Sequence, residues 1–200
     1  LSEQRLGAAL RQQPREAFVL SSKVGRLLTP DATVPREQHG YVGGLAFRHH
    51  WDYSAAGVRR SVEDSLQRLG LERLDAAFVH DCDAATHGAN ADAVRRQVIG
   101  EALPALHGLK REGVIRAVGL GVNDVQIVQG VLREAELDVL LLAGRYSLLD
   151  QSALPELLPL CAQRGVRVAL GGVFNSGLLA SGTRGGGLAR FNYAPAAREW

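Results

Sequence analysis

Lys23 and His80 each close a short apolar run, Phe18-Val-Leu-Ser-Ser-Lys23 and Asp75-Ala-Ala-Phe-Val-His80. A loop and then a helical pattern follow each run. In a β/α barrel, that end of a strand is where chemistry is done. Adjacent strands lie about 4.8 Å apart, so a lysine and a histidine at neighbouring strand ends share one site. An ammonium beside a phenol favours the phenolate and lowers a tyrosine pKa. A neutral imidazole donates a hydrogen bond to a carbonyl oxygen and orients it. Together the pair suits proton transfer coupled to carbonyl reduction or alcohol oxidation. The 23 lysines and arginines include only two lysines, Lys23 and Lys110. A chain that uses arginine for ordinary surface charge has a reason to keep a compact ammonium here, since a guanidinium tunes a neighbouring pKa less well. The plainer alternatives are a solvated lysine and a core histidine satisfied by backbone.

Asn123 and Arg145 lie just past the next two strand patterns. An amide there could hold a carboxamide, and an arginine a phosphate or carboxylate. Asn123 also suits a plain turn or cap. Gly171-Gly172-Val173-Phe174-Asn175-Ser176-Gly177 follows the last strand pattern. Its glycines admit close backbone approach to a ligand, and its N–H groups could cradle phosphate. The alternative is a flexible turn. Phe174 either stacks on a flat ring or packs in the core. The run His49-His50-Trp51-Asp52 has no third ligand at metal spacing. No G-x-S-x-G is present and neither Cys82 nor Cys161 has an evident partner, so nucleophilic hydrolysis is unsupported.

The elements that would position these residues alternate between strand and helix, which argues an α/β fold with parallel strands. Strands are expected at Phe18–Ser22, Asp75–His80, Val114–Leu120, Asp138–Ala143 and Val166–Leu170. Ser2 should cap a first helix carrying Leu6 and Leu10 on one face, and Ser54 the helix Ala55–Leu69, ended by Gly70. Val58, Val62, Leu66 and Leu69 form its single apolar stripe. A helix over Asp92–Arg111 is expected to break near Gly100 and Pro104. Asp124 should cap the next helix and Ser152 the last, running to Arg164. The stretches from Val24 to Trp51 and from Asp81 to Asn90 read as loops. An open doubly wound sheet shares this alternation. The Rossmann fingerprint is missing, because Gly119-Leu-Gly121-Val-Asn-Asp124 lacks its third glycine. A Walker lysine motif is absent too. A (β/α)8 TIM barrel remains, here incomplete.

Composition sets bounds. Hydrophobic residues make up 46% and charged residues 22%, ordinary for a globular chain. The formal net charge of +2 gives no reason to expect nucleic acid. No stretch reaches the roughly 20 apolar residues that span a bilayer, so no membrane is expected. The two cysteines have neither metal nor CxxC spacing and suggest a reducing, cytoplasmic setting. The chain starts at Leu1 inside a helical pattern and holds no methionine. It reads as residues 1–200 of a single barrel domain truncated at both ends.

These residues resemble the aldo-keto reductases, and in particular the branch of L-fucose, D-threo-aldose, L-galactose and pyridoxal dehydrogenases. The likeness starts with Leu1-Ser-Glu3, Leu6-Gly-Ala-Ala-Leu10 and Ser21-Ser-Lys-Val-Gly25. It continues through Asp52-Tyr-Ser54, Ser65-Leu-Gln-Arg-Leu-Gly70 and Val79-His-Asp81. It closes with Ala143-Gly-Arg-Tyr146, Leu148-Leu-Asp150 and Gly171 to Gly177. The resemblance implies a barrel binding NAD or NADP across its C-terminal face. Lys23 would be the lysine that lowers the pKa of a catalytic tyrosine, and His80 the histidine that orients a substrate carbonyl. That tyrosine and its aspartate partner would lie upstream of Leu1, and the last strand and most adenosine-phosphate loops downstream of Trp200. Where many members have Ser-Asn, this chain has Gly121-Val122-Asn123. The usual glutamine is Ala143, and the usual stacking tyrosine falls near Gly171. The implied activity is oxidation of a sugar hemiacetal or alcohol, or reduction of a carbonyl, on a small-molecule substrate by a monomer or weak oligomer. A Schiff-base aldolase using Lys23 and a non-catalytic barrel fragment are the alternatives.

Overall fold

The computed structural model describes residues 1–35, 37–38 and 41–181. Helix α1 (Ser2–Leu10) leads into strand β1 (Ser21–Val24). Strands β2 (Arg26–Pro30), β3 (Glu37–Gln38), β4 (Tyr41–Val42) and β5 (Phe47–Trp51) follow, then helix α2 (Ala55–Leu69) and strand β6 (Leu74–His80). Three helices come next, α3 (Ala84–His87), α4 (Ala91–Gln97) and α5 (Leu103–Arg111). Strand β7 (Ile115–Val122), helix α6 (Val125–Glu134), strand β8 (Val139–Ala143), helix α7 (Leu157–Gln163), strand β9 (Arg167–Gly171) and helix α8 (Leu178–Ser181) complete it.

β1, β6, β7, β8 and β9 form one parallel sheet in sequence order. That is the run of neighbours a barrel requires. Side chains pointing at the helices make the core: Val24, Val79, Val118, Leu120, Leu140 and Leu142 are buried there. α2 sets Val58, Val62 and Leu69 against them. Burying each such side chain contributes about 1.5–3 kcal/mol over leaving it in water. Ser54 caps α2 by accepting from Gly57 N, and Gly70 ends it at φ 65°, a left-handed turn that costs glycine nothing. Asp124 caps α6 through Gln126 N and Ile127 N.

Several boundaries differ from expectation. The first strand covers Ser21–Val24, three residues later than Phe18. The backbone of Leu20 is spent elsewhere: its N–H donates to the Asp75 carboxylate at 2.8 Å and its carbonyl accepts from Asp75 N. Val24 to Trp51 is not a loop. β2 and β5 pair antiparallel from Arg26↔Trp51 to Pro30↔Phe47, and β3 pairs with β4. Phe47, His49 and Trp51 share one side of β5 while Arg48 and His50 are exposed on the other. The polar side chains hide this period of two in the sequence. Asp83 caps the short α3 within the expected loop, by accepting from Thr86 N. The break near Gly100 is a turn of π-helix over Val98–Ala102. Ser2 lies inside α1 and caps nothing. Ser152 donates to Asp150 instead, so the last long helix starts only at Leu157.

Candidate functional site

The strand register puts Lys23 beside Phe78, with His80 two residues further along on the same face. This is the sheet face turned away from α2, α5 and α6. Gly119 and Gly121 lie alongside Phe78 and His80 on β7. A Cβ at Gly119 would come within 2.5 Å of the Phe78 ring, so only glycine lets that ring lie flat across β7. A Cβ at Gly121 would sit 3.4 Å from His80 Cδ2. The imidazole thus rests over bare backbone. Lys23 is exposed, and His80 is half-buried at the strand end.

A second set of residues converges on the same strand end. His80 Nδ1 lies 3.0 Å from Asp81 Oδ2, and Arg26 donates to that oxygen at 2.9 Å. The Arg26 guanidinium lies 4.5 Å over the Trp51 ring, which stacks on Tyr53 at an interplanar angle of 8°. Tyr53 Oη donates to the backbone carbonyls of His80 at 2.8 Å and Asp81 at 3.0 Å. His87 Nε2 lies 3.0 Å from the Asp81 carbonyl and 3.1 Å from Tyr53 Oη. Asp81 has φ 51°, a left-handed conformation that few residues other than glycine tolerate, aspartate among them. Burial works against its charge, but contact with His80 and the charges of Arg26 and Lys23 hold its pKa below the usual value. Burial pushes the Tyr53 phenol well up, as do the charges of Asp81 and Asp83. Cys82, next in the chain and fully buried, is pushed up to about 12, first by burial and then by Asp83, which suits an inert thiol.

The other candidates occupy the ends of β7, β8 and β9. Asn123 is exposed just past β7. Arg145 is occupied: Nε donates to the Asn123 carbonyl at 2.6 Å and a terminal nitrogen donates to Asp150 at 3.0 Å. It ties the loop after β7 to the loop after β8. Gly171 ends β9 beside Ala143, and Gly172 follows at φ 61°. Phe174 is 61% exposed. Asn175 is buried, and it and Ser176 have φ 47° and 55°. Lys23 and His80 therefore share the β1–β6 end of the face, with the glycine loop three strands away beyond β8. Residue type alone does not mark Arg26, Tyr53, Asp81 and His87 as site residues. Their signal was weak: an aspartate directly after the strand-end histidine, and a tyrosine one residue before a helix cap.

This arrangement can be set beside known proteins. The model for the aldo/keto reductase family matches residues 1–195. The chain belongs to the aldo/keto reductase family. It is 44% identical to a pyridoxal 4-dehydrogenase of Microbacterium luteolum over 98% of its own length and 60% of that protein. It is 40% identical to a D-threo-aldose 1-dehydrogenase of a Pseudomonas species, over 90% of this chain and 54% of the relative. An aldo-keto reductase of Bacillus halodurans, solved in its holo form, superposes with a TM-score of 0.63 at 28% identity, covering 88% of this chain and 48% of that one. The five strands are thus consecutive strands of a (β/α)8 barrel, and the chain spans about half to three-fifths of the length of these relatives. Aldo-keto reductases use NAD or NADP. The residues at the β7–β9 end fit such a group. Gly121, Ala143 and Gly171 leave little side chain on the face, and a Cβ at Gly171 would meet Ala143 at 3.6 Å. Phe174 offers an exposed ring and Asn123 an exposed amide.

Proposed function

We propose that the intact protein is an NAD(P)-dependent oxidoreductase that interconverts a sugar hemiacetal or alcohol with a lactone or carbonyl, an aldose 1-dehydrogenase in its most specific form. The observation that carries this is the placement of Lys23 and His80 on adjacent strands and the same sheet face, Lys23 beside Phe78 and His80 two residues further along. The two relatives quoted above, a pyridoxal and an aldose dehydrogenase, support the substrate class. A bound nicotinamide supplies or takes up hydride. Phe174, Gly171, Gly172, Asn175 and Ser176 would hold the cofactor, with Asn123 at its carboxamide. Arg145 keeps the Asn123 loop in place. His80 holds the substrate oxygen. Lys23 acts on the pKa of a tyrosine that the family resemblance places upstream of Leu1.

Tyr53 does not fill that role. Its hydroxyl is committed to two backbone carbonyls, and burial opposes its ionisation. A Schiff-base aldolase using Lys23 is the second reading, and the two relatives, both dehydrogenases, favour the first.

The test is Lys23→Met in the intact protein. Turnover should fall by about 100-fold or more, the contribution typical of a proton-transfer group. Cofactor affinity should stay within a few-fold, and the pH–rate profile should move upward as the phenol loses its ammonium neighbour. Near wild-type turnover with an unmoved profile would refute the role.

A further inference from the structure

Tyr53 is a buried phenol that the proposed chemistry leaves unused, and it lies between the ends of the two strands that carry Lys23 and His80. β1 and β6 stay paired only as far as Val24↔Val79. At Gly25 the chain turns away at φ 102° and enters the β2–β5 hairpin. The next peptide of β6 therefore has no strand beside it on that side. Its N–H, from Asp81, donates to the Gly121 carbonyl on β7 at 3.4 Å. In a trans peptide the carbonyl points opposite to the N–H, so the His80 carbonyl faces the side that β1 has left.

Tyr53 closes that gap. Its hydroxyl donates to the His80 carbonyl at 2.8 Å and lies 3.0 Å from the Asp81 carbonyl and 3.1 Å from His87 Nε2. Asp81, at φ 51°, turns the chain so that the second carbonyl reaches the same hydroxyl as the first. The ring meets the other strand end. A Cβ at Gly25 would come within 2.3 Å of Tyr53 Cε1, so the ring lies directly on the backbone two residues after Lys23. Asp52 N–H, one residue before Tyr53, donates to the Gly25 carbonyl at 3.0 Å. Trp51 stacks on the same ring. One stiff aromatic side chain thus reaches from the exit of β1 to the exit of β6.

We propose that Tyr53 is a positioning residue for the reaction: its ring on Gly25 and its hydroxyl on the His80 carbonyl hold the Lys23 and His80 strand ends at a fixed separation, and so set where the imidazole meets the substrate oxygen. The inference rests on the oxidoreductase reading of the site. In this role Tyr53 touches neither substrate nor cofactor and moves no proton. It acts through His80. That side chain is 27% exposed and rests over the bare backbone of Gly121, so its aim depends on the backbone that Tyr53 holds. A misplacement of about 1 Å at a reacting group costs on the order of 100-fold in rate. The rung from Asp81 to Gly121 survives loss of the Tyr53 hydroxyl, so the expected penalty is smaller, about tenfold.

The experiment is a double-mutant cycle on the intact protein, with Tyr53→Phe, His80→Ala and the two combined, read as kcat and as cofactor affinity. Phenylalanine keeps the ring on Gly25 and removes only the hydroxyl. Tyr53→Phe should lower kcat about tenfold and leave cofactor affinity within about twofold of wild type. In the His80→Ala background the same change should alter the remaining kcat by less than about twofold, because the group it aims is gone. Wild-type kcat in Tyr53→Phe overturns the inference. So does a tenfold loss that recurs in full in the His80→Ala background, since Tyr53 would then act without His80. A parallel loss of cofactor affinity and turnover also overturns it, by giving Tyr53 a general part in the fold. All three results leave the oxidoreductase reading standing, because the wild-type protein still turns over. Absence of any NAD(P)-linked turnover in the wild-type protein overturns both.

Discussion

His80 is held by its neighbours without being buried by them. Its side chain is 27% exposed, its Nδ1 faces Asp81, and its ring lies over a glycine. Truncation should therefore remove a hydrogen bond at the site and little packing. We expect His80→Ala to lower kcat by about 100-fold while stability changes by less than about 1 kcal/mol, as for other surface substitutions. Denaturant midpoints measured beside turnover check this. Matching losses of stability and activity would make His80 a core histidine after all. The placement of Lys23 one residue before the end of β1 and of His80 at the end of β6 is readable from sequence because each closes an apolar run. The roles of Asp81 and Arg26 are not. An aspartate after a strand reads as an ordinary turn residue, and an arginine in a chain rich in arginine reads as surface charge. Their significance depends on φ 51° at Asp81 and on the 4.5 Å approach of Arg26 to Trp51, and neither is encoded at short range.

The elements show the same division. The parallel strands were legible because their apolar runs are continuous, as in sheets covered by helices. The β2–β5 hairpin is hidden in the sequence because Arg48, His49 and His50 interrupt its alternation. The start of β1 is not legible locally because a tertiary contact sets it. Asp75, with a side chain only 10% exposed, accepts from Leu20 N at 2.8 Å and from Arg15 at 2.7 Å, fixing the entry to β1 against β6. Its pKa lies below the usual value: burial works against the charge, but Leu20 N–H and Arg15 more than offset it. Asp75→Ala should cost about 3 kcal/mol, the scale for removing one partner of a largely buried ion pair. The sign of the pH dependence follows from the depressed pKa. The Asp75 contribution is complete above the unfolded value, near 3.8, and is lost as pH falls through the lower folded value. Urea midpoints of wild type and Asp75→Ala should thus differ fully at neutral pH and converge in acid. A difference that stayed constant down to about pH 2 would show that Asp75 acts through packing alone.

At the scale of the molecule, helices cover one face of the sheet among the described residues. Toward the helices Val24, Val79, Leu120, Leu140 and Leu142 are buried; toward the site Ala76, Ala117, Val139, Leu141 and Ala143 are half-buried and Ala169 is exposed. Parallel sheets are stable when both faces are covered, and a barrel interior is a packed core of side chains from all its strands. β1 and β9 each have one neighbour in the sheet, which leaves a row of backbone donors and acceptors on the far side of each among the described residues. The relatives are longer than this chain by enough to supply further strands, since it spans 60% and 54% of the two dehydrogenases. We therefore expect residues 1–200 expressed alone to bind a hydrophobic dye and to unfold without a sharp transition. They should oxidise no aldose, even though Lys23 and His80 are both present. The intact protein should melt cooperatively and exclude the dye. A cooperative urea transition for residues 1–200 alone, with no dye binding, would mean that one covered face suffices. The inner side of β6 and β7 would then owe its small residues to the site rather than to a core shared with missing strands.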